Sequence, residues 1–340
     1  MNPVRGKKLL PFLLTASLLS LPCVSPSPAQ DRVRVGLSAI SATSGSLWVA
    51  EEKGLFKKHR IDPEVIVIGG GGGRVVSSLI AGDIQFSIGG GDAAIRAKLK
   101  GVDVVMIASP LTKGLQRVLA RPDIARPEDL KGKKVGITRF GSASHLVIQL
   151  VLRRWGMRPD DVHVIQIGSS PAMLASLDKG GIDGAVLTLP SFFVAEERGY
   201  RTLADLGDMD IYYLQNTLET TRAFVARNRD LASRFVKGLI EGIAYFKKNK
   251  NESMGVMRKK LRIQSEQERE SRHLENTYHL LASKYYNEVP YPSVKAIETV
   301  LEFMAPEDPK VRGVDPRTFV DESLIRDHEA SGFIKALYDR

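Results

Sequence analysis

The sequence predicts an α/β fold of two similar lobes, and three observations carry that expectation. Strand-like and helix-like segments alternate from residue 33 onward, as they do where parallel sheets are flanked by helices. The same order of segments begins again about a hundred residues later. Within the two copies, SLIAGDIQFSI (78–88) is echoed by SLDKGGIDGAV (176–186), with Ser, Leu, Gly and Ile coinciding at a shift of 98.

Residues 33–37 alternate and are β-rich, so a strand is expected there, followed by a small polar loop at 38–46. Leu47, Val49, Ala50, Leu55 and Phe56 then suggest a helix ending near Gly54. A second strand is expected at 65–68, then five glycines at 69–73, and a helix marked by Val75, Val76, Leu79 and Ile80 that Gly82 stops. The strand at 84–88 leads through Gly89, Gly90, Gly91 and Asp92 into another helix, and 102–108 forms a fourth strand. In the second copy the strands are 133–138 and 162–167, the loops 139–144 and 168–170, and the helices 145–155 and 172–177. Beyond residue 188 no third copy starts: short strands are expected at 211–218 and 223–226, then helices at 231–246, 254–261, 268–286, 294–304 and 321–337. Two crossings would form a hinge, the first near 118–121 and the second near 217–226. Lobe 1 would then comprise residues 30–117 and 222–340, and lobe 2 residues 118–221.

Composition narrows the class. The 340 residues are 43% hydrophobic and 26% charged, ordinary for a globular chain. The net charge is +10, of which Arg5, Lys7 and Lys8 supply three, and the remaining excess is spread along the chain rather than blocked. That spread argues against nucleic acid as a partner, and the densest basic stretch, 247–262, reads as a solvated helix face. Arg5, Lys7 and Lys8 precede an apolar run at 9–21, and Ser27-Pro28-Ala29 ends the segment with small residues. This is the pattern of a signal peptide over 1–29 and implies export; its apolar run is too short to span a bilayer comfortably. Cys23, the only cysteine, lies inside it. Pro22 precedes that cysteine and Leu21 stands where a small residue is expected, so soluble export fits better than lipid anchoring. The mature chain would carry no thiol for a disulfide, a nucleophile or a metal.

Four stretches of sequence place the chain beside a known family: LWVAEEKGLFKKHRIDPEV (47–65), SSLIAGDIQFSIGGGDAAI (77–95), EDLKGKKVGI (128–137) and VDESLIRDHEASGFIKALY (320–338). With this order of elements the chain resembles the nitrate, taurine and sulfonate (SsuA-like) substrate-binding proteins of ABC importers, a type II periplasmic binding protein group. The resemblance covers essentially the whole mature chain and implies a periplasmic receptor of two lobes with a cleft between them. It also implies a small-molecule ligand, a membrane permease as partner, a monomer, no cofactor and no catalysis. The alternative is an enzyme on the same fold, of pyrimidine synthase or dehydratase type. The synthase branch needs a Cys-rich motif that the mature chain lacks.

In open α/β sheets ligands sit outside the carboxyl ends of strands, where helix N-termini favour anions. Four loops have that placement. The first offers Ser41, Thr43 and Ser44, with Trp48 one turn on; serines there serve as helix caps or as ligand groups. The second is the five-glycine run, with Gly71, Gly72 and then Arg74. It is neither a P-loop nor a dinucleotide fingerprint, because both the Lys-Ser/Thr and the required spacing are missing. The third pairs Gly91 with Asp92, favoured as an N-cap. The fourth, from the other lobe, holds Arg139, Gly141, Ser142 and His145. Arg139 is the strongest charged candidate, since a guanidinium grips two anion oxygens in parallel, and a surface ion pair is its rival role. Phe192, with Phe140 and Phe193, offers a pocket wall. The six histidines form no HExxH or i, i+4 pair, so no metal site is expected, and GSASH is not a GxSxG elbow.

Overall fold

The computed structural model describes Met1 and residues 30–339 except 69–71, 210, 264–267 and 307. The expected signal peptide, Cys23 and Gly71 lie outside the described residues. The first lobe runs β1 (Asp31–Leu37), α1 (Gly45–Glu52), α2 (Leu55–Lys58), β2 (Ile61–Val67), α3 (Gly72–Ala81), β3 (Phe86–Gly89), α4 (Asp92–Leu99) and β4 (Val104–Lys113). The second runs β5 (Arg117–Ala120), β6 (Lys134–Ile137), α5 (Ala143–Arg154), β7 (His163–Gln166), α6 (Ser170–Asp178), β8 (Gly184–Leu187), α7 (Ser191–Glu197) and β9 (Arg201–Asp205). The chain then returns as β10 (Tyr212–Thr221), followed by α8 (Arg222–Arg227), α9 (Arg229–Lys248), α10 (Lys250–Lys260), α11 (Glu268–Leu280), α12 (Val294–Met304), α13 (Ser323–Ala330) and α14 (Phe333–Tyr338).

The two sheets have one design. The first orders its strands β2-β1-β3-β10-β4 and the second β7-β6-β8-β5-β9. In each, the first three pair in parallel and the fourth runs antiparallel between its neighbours. That antiparallel strand is always the one that has just crossed from the other lobe. The echo in the sequence is structural too. Gly82 and Gly180 both turn the chain at positive φ, +82° and +70°, where glycine carries no steric penalty. A Cβ on Gly36 would come 2.6 Å from Ile84, and one on Gly136 would come 2.6 Å from Ile182. Each lobe thus seats the isoleucine of the repeat over a bare glycine of the middle strand of its parallel three.

Several expectations are corrected. Sheet membership puts the crossings at 114–116 and 206–211, earlier than the 117/118 and 221/222 boundaries, because β5 already pairs from Arg117 and all of β10 belongs to the first sheet. Residues 223–226 are helix α8 rather than strand, since the Thr221 hydroxyl accepts from the Phe224 N–H at 3.1 Å and caps a helix start. The helix at 47–56 is two, separated by Gly54 at φ +68°, and the last one breaks at Gly332, φ +74°. The helix at 268–286 gives way to a single π turn at Leu281–Tyr285.

The first lobe's core joins α2, α9 and β3 through stacked rings, Phe56 on Phe235 at 4.7 Å and Phe235 on Phe86 at 4.3 Å. Helix α9 lies hard against α1 and α2 because Gly238 and Gly242 leave its facing stripe bare. A Cβ at Gly242 would fall 2.5 Å from the Ser46 carbonyl oxygen and 2.7 Å from the Ala50 Cβ. Backbone cannot yield as a flexible side-chain tip can. Gly242→Ala is therefore expected to destabilise the protein by about 1–2 kcal/mol, overpacking outweighing the helix-propensity gain of alanine. Gly255→Ala, where a Cβ meets nothing within 4 Å on α10, should instead stabilise by about 0.5–1 kcal/mol. Urea unfolding of the two variants distinguishes them; equal midpoints would refute the close α1–α9 approach.

Candidate ligand cavity between the lobes

The carboxyl edge of the first sheet borders a polar cavity of about 240 Å³ closed on one side by the second lobe. The first lobe contributes the turn after β1, the start of α3, the loop from β3 into α4 and the beginning of β10; the second contributes Arg139, Ser142 and Ala143. Each wall is held by bonds that follow from its local sequence.

The turn Ala42–Ser44 begins at Ser41, whose hydroxyl accepts from the Thr43 N–H at 3.4 Å and the Thr43 hydroxyl at 3.0 Å. From behind, the buried Tyr286 phenol accepts from the Ser46 N–H (3.0 Å) and donates to the Thr43 carbonyl (3.1 Å). Burial pushes that phenol up to about 12, so it stays a donor. Tyr286 therefore positions Ser41, Thr43 and Ser44, all of which line the cavity. On the opposite lobe, a hydroxyl cluster shapes the loop: the Ser144 hydroxyl accepts from the Thr138 N–H (2.9 Å), and Ser142 donates to the Arg139 carbonyl (2.6 Å). Gly141, at φ +74°, sends its N–H to His145 Nδ1 at 3.1 Å. Arg139 itself stands exposed at the cavity edge.

Asp92 is not an N-cap. It is the first residue of α4, and Gly91 holds the cap position without a side-chain bond. The half-buried carboxyl lines the cavity. Burial raises its pKa, against the opposing pull of Arg96, of the N–H groups of Asp92 and Ala93, and of Arg139. Gly91 is explained by packing instead: a Cβ there would meet Met106 at 2.7 Å and Leu214 at 2.8 Å.

The sequence candidates divide accordingly. Ser41, Thr43, Ser44, Gly72, Asp92, Arg139 and Ser142 come together around the cavity. Trp48 is 3% exposed in the first lobe's core, because α1 starts at Gly45 and turns that position inward. Phe192 is fully buried under the Arg117 guanidinium, 4.1 Å from its ring centre, with Phe193 beside it. His145 is buried between the edges of Phe140 and Phe303. Arg74 is exposed on α3 and Gly141 faces a neighbouring groove rather than the cavity. Sequence reasoning missed Tyr213, Gln215 and Asn216, the start of β10. The available signal was topological: an antiparallel strand begins at the edge where its parallel neighbours end. Among the described residues no group of three or more His, Cys, Asp or Glu could hold a metal ion.

Two sheets of matching strand order, joined by paired crossings around a polar cavity, define the two-lobed fold of the type II periplasmic binding proteins. The chain belongs to the NMT1/THI5 like family, which it matches over residues 42–253. It is 30% identical over 130 residues to the taurine-binding periplasmic protein of Escherichia coli (strain K12), a match spanning 38% of this chain and only 40% of that one. A Brucella abortus (strain 2308) protein described as a binding protein is 28% identical over 242 residues, covering 68% of this chain and 72% of the relative. Among solved structures, the periplasmic aliphatic sulphonate binding protein SsuA of Escherichia coli aligns with a TM-score of 0.70 at 18% identity, covering 88% of this chain and 100% of its own. The periplasmic nitrate-binding protein NrtA of Synechocystis PCC 6803 aligns with a TM-score of 0.68 at 13% identity, covering 88% and 89%. At such identities the structural likeness is one of fold. No helix among the described residues is long and apolar enough to cross a membrane.

Behind the cavity lies a second acid. Glu219 on β10 is fully buried and accepts from the Ser87 and Thr217 hydroxyls, both at 2.8 Å. Burial lifts its pKa from 4.5 to about 7, the two hydroxyls lowering it and nearby Asp92 raising it. The folded protein thus holds this proton where the unfolded chain has released it. Stability is greatest below the unfolded value, falls as pH rises through the interval up to about 7, and is level above it. The slope is about 1.4 kcal/mol per pH unit. Glu219→Gln should remove that slope and stand above the wild type at pH 8, as read by urea unfolding across pH 4–8. A wild type that gains stability over this interval relative to the variant would exclude the assignment.

Proposed function

We propose that the protein is the periplasmic receptor of an ABC importer, capturing a small organic anion by closing its two lobes and delivering it to a membrane permease. Family membership and the periplasmic, binding-protein names of its relatives support the receptor role. One observation carries the ligand class: a cavity walled by both lobes, in which Arg139 of the second faces loops and helix starts of the first. Backbone N–H groups on one side and a guanidinium on the other suit an acidic head.

Closure follows from the same wall arrangement, because a ligand that touches both lobes favours the state in which both can be touched. A thermal-shift screen of small sulfonates, carboxylates and nitrate identifies a ligand. Calorimetry of Arg139→Ala against it should then show a ten- to hundred-fold loss, the effect of one charge-assisted hydrogen bond of roughly 1.5–3 kcal/mol. Affinity within two-fold of wild type would remove Arg139 from the site. Saturating ligand should reduce the radius of gyration in solution scattering; an unchanged curve with binding verified would rule out closure. Export through the segment 1–29 predicts a mature chain starting near Gln30. Intact mass of periplasmic material tests it, and recovery of the full-length chain from the cytoplasm would overturn the location.

A further inference from the structure

A larger groove adjoins the cavity. It measures about 570 Å³ against about 240 Å³ and shares two walls with it, Asp92 and Arg139. From that pair it follows the seam between α3 and α4 to Lys100 and Val102. Its floor is apolar, Val76, Ala93 and Ala97, while Arg96 and Lys100 line it from α4. Two large apolar side chains stand open on it from opposite lobes, Phe140 at 55% and Ile80 at 46% exposure. Leaving a phenylalanine in water has a cost that burial against a partner removes. The Phe140 ring already meets the His145 ring at 5.2 Å in an edge contact, which fixes it at the groove mouth.

We infer that this groove binds the aryl body of the ligand, so that the receptor takes aromatic sulfonates or carboxylates whose acidic group sits at Arg139. This rests on the reading of the cavity as an anion site. The chemistry of the walls selects the class. Asp92 offsets one positive charge, and Arg96, Lys100 and Arg139 leave a surplus that attracts an anion. A planar ring packs against Phe140 and stacks on a guanidinium, where an alkyl chain gains only the first contact. Val76, Ala93 and Ala97 offer it an apolar surface.

The test uses the mature protein and two matched pairs, naphthalene-2-sulfonate with ethanesulfonate and 2-naphthoate with propionate, titrated by calorimetry. In at least one pair the aryl anion should bind about ten-fold tighter or better than its small counterpart. Phe140→Ala should weaken the aryl anion about three- to ten-fold and leave the small one within about two-fold. Ile80→Ser, on the opposite lobe, should show the same selectivity. Both side chains are exposed, so unchanged unfolding midpoints confirm that the variants are folded. Equal affinity within each pair, or equal losses for aryl and small anions in the variants, overturns the inference while the anion cavity stands. Binding of the small anions alone has the same meaning. Failure of all four compounds to bind overturns both.

Discussion

Strand β10 enters the first sheet from the second lobe, and its direction follows from where it starts. The crossing delivers the chain to the carboxyl edge of β3, so it can pair only by running back, antiparallel to β3 and β4. Three consequences follow from that one pairing. Tyr213, Gln215 and Asn216 become part of the cavity wall. Thr217 comes within 3.1 Å of the Gly89 carbonyl, tying the strand to the loop that leads into α4. Glu219 is carried into the centre of the sheet, where the Ser87 and Thr217 hydroxyls donate to it. The hinge, the cavity floor and the buried acid are one piece of backbone.

The mirror strand β5 does the same in the second lobe. Arg117 at its start donates to Asp205 and Glu196, each at 2.8 Å, and lies over Phe192. Between these anchored strands the two crossings bond to each other: the Gly114 N–H reaches the Ile211 carbonyl at 3.3 Å, and the Leu206 N–H reaches the Gln116 carbonyl at 3.1 Å. A Cβ on Gly114 would stand 2.7 Å from Leu206, so the crossings touch because glycine permits it. The lobes are thereby joined by short segments whose ends are fixed in sheets, the condition for a hinge rather than a loose linker.

Much of this was legible in the sequence for a physical reason: strand and helix periodicities, glycine stops and the repeated SL..G.I pattern all report local geometry. The structure adds what the repeat packs against: Ile84 and Ile182 fill the same place in each lobe, over Gly36 and Gly136. The site was legible where backbone position decides it. Ser41, Thr43, Ser44 and Gly72 precede helix starts, and Arg139 follows a strand end. It was illegible where facing decides it. Trp48 and Phe192 sit one turn or less into helices, and whether such a ring faces cavity or core depends on the residue at which the helix begins. Residues 223–226 misled for a related reason. Four consecutive apolar residues carry no period, and the Thr221 cap settles the matter.

The duplication also explains why the lobes contribute unequally. After β3 the first lobe has Gly90, Gly91 and Asp92, and the bare backbone brings the carboxyl to the cavity. The equivalent stretch after β8 is Thr188, Leu189 and Pro190. Pro190 and Val194 line an apolar cavity with Ala42 instead. The second lobe is therefore left with one polar approach, the loop from β6 into α5, and at its tip stands Arg139. On the proposed reading, the first lobe would hold most of the ligand's hydrogen bonds and the second a long-reaching charge, whose contact would strengthen as the cleft narrowed. The ligand's acidic group would then be the element whose binding free energy differs most between open and closed forms, and only such a difference can drive closure.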